Sequence, residues 1–299
     1  MTEKPLLLVV STLGRVSALD LLLQSLADQL QPHDRLTIIA QSHVADVERL
    51  VARWRPRFAA GLHVATSDRG ASRGRNAGVR LGSDGLRDAH VMFPNDTTTF
   101  PPGSVAAIRR AMTGATAGAV RVETPSGARF ALPPSGTPVD ARNVWSVIEM
   151  GLVIDLDVFR TAGGFDESIG TGAATPWQAG EVTDLLLRVL NQHPALRSTF
   201  VWVHDAGAHV NGIAEVSGLT RAESMRKLRA YGRGVGYVYR RHPFPRWQRY
   251  AFVVAGLLIG VRRGSEYTLS AGWTAFIGRL EGVRGRIIGA DPTLKAVSR

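Results

Sequence analysis

The 299-residue sequence contains no cysteine. That absence removes disulfide staples, thiolate metal ligands and a cysteine nucleophile from consideration. Long apolar runs are missing too. The stretch from Ala251 to Val261 holds eleven residues, whereas a membrane-spanning helix needs about 20. The opening Met-Thr-Glu-Lys-Pro and the run Leu6 to Val10 make a core too short for a signal peptide, with an acid ahead of it. Neither a spanning segment nor an export signal is expected, and the expected location is cytoplasmic. With 44% hydrophobic and 20% charged residues, the chain also lacks the composition of a disordered protein.

Acid is scarce in one place. Residues 226 to 299 carry 15 Lys and Arg against 3 Asp and Glu, while the first 225 carry 21 against 22. A near-neutral body joined to a basic tail points to a polyanionic surface, either anionic lipid or nucleic acid. No recognised nucleic-acid motif accompanies the charge. The tail instead mixes Arg226, Lys227, Arg229, Arg233, Arg240 and Arg241 with Tyr231, Tyr237 and Tyr239. Trp247, Tyr250, Phe252 and a short apolar run follow, closed by Arg262 and Arg263. Such a pattern suits helices lying in a headgroup plane, and it equally suits helices packed on the body with a solvated basic face. The expected domains are residues 1–220 and a basic helical extension, residues 221–299.

Along the body, buried-strand signals alternate with helical spacing. Pro5 to Ser11 and Arg35 to Ala40 read as strands, and Val16 to Leu30 and Val44 to Phe58 as helices. Leu62 to Ala65, Ala89 to Phe93, Ala117 to Glu123, Val147 to Ile154 and Ser198 to Val203 are further strand candidates. Glu181 to Asn191 reads as a helix. The alternation predicts an α/β fold with a doubly wound, mostly parallel sheet, whose ligands bind beyond the carboxyl ends of the strands. Thr124 to Ala141 is rich in Pro, Gly and Ser and reads as a long loop or a flap over a site.

An ordered series of motifs occupies roughly residues 5 to 240. Ser11-Thr12-Leu13-Gly14-Arg15 forms the first turn. Gly70-Ala71-Ser72-Arg73-Gly74-Arg75-Asn76-Ala77-Gly78 follows, then Phe93-Pro94-Asn95-Asp96-Thr97 with Pro101-Pro102-Gly103. Gly163-Gly164-Phe165-Asp166-Glu167, Gly170, Gly172 and Gly180-Glu181-Val182-Thr183-Asp184 complete it. The series resembles the inverting glycosyltransferases of family 2, with the GT-A fold, including enzymes of cell-envelope and capsular polysaccharide synthesis. The first turn lacks the Gly-x-Gly-x-x-Gly cradle of a dinucleotide-binding dehydrogenase.

The resemblance implies transfer of a sugar from a nucleoside diphosphate sugar to a glycan or lipid-linked acceptor. Thr12, Gly14, Arg15, Gln41, Arg73, Arg75 and Asn76 would line the nucleotide. Asn95 and Asp96 would face the diphosphate, with Asp96 and His209 as ligands of Mg²⁺ or Mn²⁺. Glu181, or Asp184 in second place, would deprotonate the acceptor, because an attacking hydroxyl needs a carboxylate within reach. Trp177 is read either as a platform for an acceptor sugar or as an anchor in the core. An acceptor near a membrane would place the protein on an anionic surface at the inner face of the cell membrane. Three departures from the family pattern stand out: Asn95-Asp96-Thr97 holds one carboxylate, Gln41 stands at the end of the second strand where an Asp is common, and Val182 stands where the base is expected. A catalytically silent scaffold of the same fold, binding a nucleotide or a partner, is the alternative that these departures favour.

Overall fold

A computed structural model describes residues 3–125, 127–212, 220–261 and 269–289. The chain divides into two compact units. The first comprises residues 1–69, 73–165 and 185–214. Its chain order is β1 (Leu6–Thr12), α1 (Val16–Leu26), β2 (Arg35–Ala40), α2 (Val44–Trp54), β3 (Gly61–Thr66), α3 (Ala71–Gly82), β4 (His90–Met92) and α4 (Ser104–Ala111). Then come β5 (Ala117–Ala119), β6 (Arg121–Thr124), β7 (Gly127–Ala128), β8 (Leu152–Asp155), α5 (Leu156–Thr161), α6 (Glu181–Gln192), α7 (Leu196–Thr199), β9 (Val201–Trp202) and β10 (His209–Asn211).

Seven strands form the main sheet in the order β3-β2-β1-β4-β8-β5-β9. β3, β2, β1 and β4 run parallel, with Leu8 of β1 opposite Leu36 on one side and Met92 on the other. β8 is inserted antiparallel between β4 and β5. Every side chain from Leu6 to Val10 is buried, as a strand covered on both faces requires. The helices reach the sheet through one face each. Leu19, Leu22, Leu23 and Leu26 of α1, and Val47, Leu50, Val51 and Trp54 of α2, are the buried positions, at the i, i+3, i+4, i+7 spacing of an amphipathic helix.

α3 approaches the sheet differently. Gly74, Gly78 and Gly82 lie four residues apart on one face, and a Cβ at Gly78 or Gly82 would overlap Val9 or Thr37. These glycines therefore let a helix sit directly on β1 and β2. Their periodicity is that of packing on the sheet.

Three strand expectations shift. Ala117 to Glu123 divides at Val120 into β5 of the main sheet and β6 of a second sheet. Val147 to Ile154 follows a 3₁₀ turn at Val144–Ser146, makes a second at Glu149–Gly151, and only then enters β8. Gly151 lies so close to the Val120 carbonyl that a Cβ there would stand 2.6 Å from it. Ser198 to Val203 begins as the short helix α7, which follows Pro194, a residue whose fixed φ suits a helical start. The Pro-rich stretch read as a flap is tied down, because Pro133 and Thr137 accept hydrogen bonds from the His204 and Trp202 rings, and the Val139 amide donates to Arg197. β10, β6 and β7 form a second, three-stranded sheet.

The second unit comprises residues 70–72, 166–184 and 215–299, so the first turn of α6, Glu181 to Asp184, belongs to it. Its described helices are α8 (Arg221–Arg241), α9 (Arg246–Val254) and α10 (Leu269–Arg284), with a 3₁₀ turn at Leu257–Val261. α8 opens on a reciprocal capping box between Thr220 and Glu223. α8 and α10 touch backbone to backbone. A Cβ at Gly236 would stand 2.5 Å from the Arg279 carbonyl, and one at Gly282 would stand 2.7 Å from the Tyr237 nitrogen. Glu281 is fully buried between these helices and is held by Arg229 and by Arg233 at 2.9 Å. Among the described residues no helix is long and apolar enough to cross a membrane. Arg262 and Arg263 lie outside the described residues.

His90 offers a test of the sheet's tolerance to acid. It is buried in β4 with Nε2 2.9 Å from the Ala115 carbonyl, and desolvation lowers its pKa, aided by Lys4. Above the unfolded value of 6.5 both states are neutral. As pH falls through that value only the unfolded chain takes up the proton, so stability declines toward the lower folded pKa. The expected result in urea titrations is that wild type loses stability between about pH 7 and 5 relative to His90→Gln.

Candidate active site

The carboxyl ends of β1 and β4 bring together four of the residues expected to meet a nucleotide. Thr12 closes β1, and its hydroxyl donates to Asp96 Oδ2 at 2.6 Å while accepting the Gly14 amide at 3.0 Å. Gly14 has φ of +85°, and a Cβ there would come within 2.5 Å of His43 Cβ. Only glycine meets both conditions. This turn delivers Arg15, whose Nε donates to Asp96 Oδ2 at 3.1 Å while Nη2 pairs with Oδ1. Asp96 is 1% exposed and Arg15 58% exposed at the side chain. A buried carboxylate is thus gripped in bidentate fashion by a guanidinium that reaches it from solvent.

Beside it runs a second network. Asn95 accepts from Arg75 Nη2 at 3.1 Å and donates through Nδ2 to Glu149 Oε1 at 2.9 Å. Arg75 stands 3.8 Å from the same Glu149 oxygen and lies over the Phe165 ring, 5.6 Å from its centroid. Burial raises the Glu149 pKa, but Arg75 and the Asn95 hydrogen bond outweigh it and hold the carboxyl below the ordinary range. Sequence reasoning missed Glu149. It sits in a 3₁₀ turn more than fifty positions after Asn95, in no motif, and only the strand order returns it to the end of β4.

The other expected nucleotide residues are placed separately. Gln41 Nε2 donates to Ser67 Oγ at 3.0 Å and to the Asp68 carbonyl at 2.7 Å, and Arg73 pairs with the Asp68 carboxylate at 3.3 Å. Both residues therefore gather on the loop after β3. Asn76 clamps the backbone of Phe165, accepting its amide at 3.0 Å and donating to its carbonyl at 2.8 Å. That role is architectural. His209 turns Nδ1 toward the Ala206 carbonyl at 2.9 Å.

A divalent ion was expected on Asp96 and His209. Cations of this kind take several oxygen ligands with free lone pairs. Asp96 is the lone carboxylate of its motif, and both its oxygens are engaged by Thr12 and Arg15. Among the described residues no group of three His, Asp or Glu side chains could hold a metal. The residues present do not fit the ion, and no step below is routed through one.

In the second unit, the loop 166–180 leads into the two acids proposed as base. Gly170 has φ of +114°, donates to the Trp177 carbonyl at 2.8 Å, and lies against Glu181, whose Oε2 would stand 3.3 Å from a Cβ at Gly170. Ser72 holds the same loop through the Ile169 carbonyl at 2.5 Å. Asp184 is fully buried, with Oδ1 3.0 Å from His242 Nε2 and 3.8 Å from Arg241. Its carboxylate is committed to the end of α8, whereas Glu181 lies against the Gly170 loop. Asp166 pairs with Arg241 and accepts the Ser168 amide at 2.8 Å. Burial raises its pKa, and these partners bring it below the usual carboxylate value. Trp177 stacks on Tyr237 with centroids 4.2 Å apart and planes 1° from parallel, so it serves as an anchor within this unit.

Solved structures share this architecture. Residues 1–349 of S. aureus TarS, also solved in complexes with UDP-GlcNAc and with UDP, are 10% identical with a TM-score of 0.56. The match covers 96% of this chain and 94% of that one. The mannosyltransferase PcManGT from Pyrobaculum calidifontis, solved with GDP-Man and Mn²⁺, is 13% identical with a TM-score of 0.57, covering 99% of this chain and 79% of that one. The chain has a GT-A glycosyltransferase fold. No protein-family model and no curated protein matches the sequence.

The Thr12 hydroxyl bridges the first turn and the buried carboxylate. Thr12→Val leaves the Gly14 amide and one Asp96 oxygen without that partner, and it should lower stability in urea by about 1–3 kcal/mol.

Proposed function

We propose that the protein is a glycosyltransferase that takes a sugar from a nucleoside diphosphate sugar and delivers it, with inversion, to a hydroxyl of a glycan or lipid-linked acceptor. The observation that carries the reading is the assembly of Thr12, Gly14, Arg15, Asn95 and Asp96 at the carboxyl ends of β1 and β4. Open α/β sheets bind their ligands at such ends.

The chemistry asks for two things of the protein. The departing diphosphate gains negative charge and needs fixed positive charge aimed at it. Arg15 is mostly exposed and Arg73 40% exposed at the side chain. Asp96, itself held by the Thr12 hydroxyl, fixes the Arg15 guanidinium before any ligand arrives, so orienting it costs little at the moment of reaction. The acceptor hydroxyl must also lose its proton as it attacks the anomeric carbon on the face opposite the leaving group. One carboxylate suffices for such a single displacement, and Glu181 is assigned that role.

A second reading has support from the same pair. An acidic motif reduced to Asp96 and neutralised by Arg15 suits a scaffold that binds a nucleotide without turning it over. Product assays separate the two.

Purified protein should melt at higher temperature with UDP or GDP, because a ligand that binds the native state stabilises it. The shift should persist in EDTA and shrink in Arg73→Ala. With the matching nucleotide sugar and an acceptor, Glu181→Gln should lower turnover about 100-fold or more while the nucleotide shift stays unchanged. A shift that requires Mn²⁺ would overturn the assignment of Arg15 as the fixed cation. Nucleotide binding without transfer by wild type would favour the silent scaffold.

A further inference from the structure

The second unit contains a cavity of about 440 Å³ lined by Arg240, Arg246, Arg249, Tyr250, Arg284 and Arg286. Among the described residues its polar lining is five guanidinium groups and a phenol, without a carboxylate. Elsewhere in the unit arginines are matched: Arg229 and Arg233 with Glu281, and Arg241 with Asp166. Two of the cavity arginines, Arg240 and Arg249, are oriented by neutral backbone carbonyls. Arg240 Nη1 donates to the Arg284 carbonyl at 3.0 Å, and Arg249 donates to the Phe244 and His242 carbonyls at 3.0 and 3.2 Å. Those bonds fix the side chains and leave their charge intact. Five like charges around one space repel each other unless an anion joins them, and the fork of a guanidinium matches phosphate oxygens in pairs.

The surface next to the cavity is apolar. In α9, Arg246, Arg249 and Tyr250 face the cavity, while Trp247, Tyr250 and Val254 form an exposed stripe. At 100° per residue these two faces adjoin and share Tyr250. The 3₁₀ turn after α9 adds Leu257 and Leu258, and α10 adds Leu269 and Trp273. Trp247 is 70% exposed, Leu269 72%, Leu258 62% and Trp273 59%. The turn and α10 are in direct contact, since a Cβ at Gly272 would lie 2.6 Å from the Leu257 carbonyl. Large exposed apolar groups drawn from adjoining elements mark an interaction surface. Nucleic acid would satisfy the arginines and leave the tryptophans in water.

We propose that the cavity bounded by Arg240, Arg246, Arg249, Arg284 and Arg286 binds the phosphate of an anionic lipid headgroup while Trp247, Leu258, Leu269 and Trp273 enter the bilayer. The tyrosine shared by the two faces sits at their boundary, the level at which amphipathic rings settle in membranes. This proposal needs no donor sugar and stands independently of the transferase reading.

Flotation of the full chain with vesicles tests it. Binding is expected to phosphatidylcholine vesicles containing phosphatidylglycerol and not to phosphatidylcholine alone. The double variant Arg246→Ala, Arg249→Ala should bind roughly 30-fold more weakly, from about one kcal/mol per basic residue at an anionic surface. The double variant Trp247→Ser, Leu258→Ser should lose flotation yet retain the stabilisation by inorganic pyrophosphate that is expected in thermal melts of wild type. All substituted side chains are polar or exposed at the surface, and a melt of each variant without ligand verifies that it folds. Pyrophosphate stabilisation that is lost in Arg246→Ala, Arg249→Ala but kept in Arg73→Ala, without flotation of wild type, would assign the cavity to a soluble phosphate and overturn the lipid. Flotation unaffected by the arginine variant, or steeply salt-dependent binding to duplex DNA without flotation, would overturn it as well.

Discussion

A carboxylate taken out of water must find a cation, and at four sites in this chain that cation is arginine. Asp34 meets Arg109 at the foot of the first unit, Asp96 meets Arg15, Glu149 meets Arg75, and Glu281 meets two arginines. Breaking one such pair leaves a buried charge without compensation, which costs far more than the intact pair contributes. The positions of these acids therefore dictate which loops close on which strands. The first turn is where it is because Arg15 must reach Asp96, and β4 meets the turn before β8 because Arg75 and Asn95 share Glu149.

The same constraint shapes the proposed chemistry. A carboxylate that would otherwise recruit a divalent ion is saturated by a side chain that the protein makes itself. Whatever binds at the strand ends meets a guanidinium of fixed direction, with weaker charge than an ion but no need to acquire it from solution. Glu181 answers a different demand. A proton acceptor needs room for a hydroxyl to approach, and Gly170 carries no Cβ where one would crowd that carboxyl.

Much of the fold was legible because periodicity maps directly onto burial. The leucines of α1 and the Val47 to Trp54 face of α2 announce themselves by spacing alone. The direction of β8 does not, since an alternation of strands and helices says nothing about a strand that returns antiparallel after a long irregular segment. Within the site, Thr12, Gly14, Arg15, Asn95 and Asp96 belong to short local motifs and were found together. Glu149 escaped because its partners come from β4 and α3, far away in the chain. The glycines of α3 lend themselves to two readings for a physical reason: a close helix-sheet approach and a close approach of backbone to a ligand both require residues without bulk. The basic tail was visible as charge, but charge alone could not distinguish Arg233, committed to Glu281, from Arg246, which faces an open cavity.

The contact of α8 with α10 has a consequence for how this protein can change over time. Where two helices meet through side chains, a lost methyl on one is made good by a gained methyl on the other, and the interface drifts by compensation. Here Gly236 and Gly282 leave no side chain to exchange. No partner substitution can restore the fit once a larger residue arrives, so these positions have no neutral neighbours in sequence space. The exposed faces of the same helices are under no such restriction. Related chains should therefore keep the spacing of these glycines long after the tryptophans and arginines around them have been exchanged for others of similar kind.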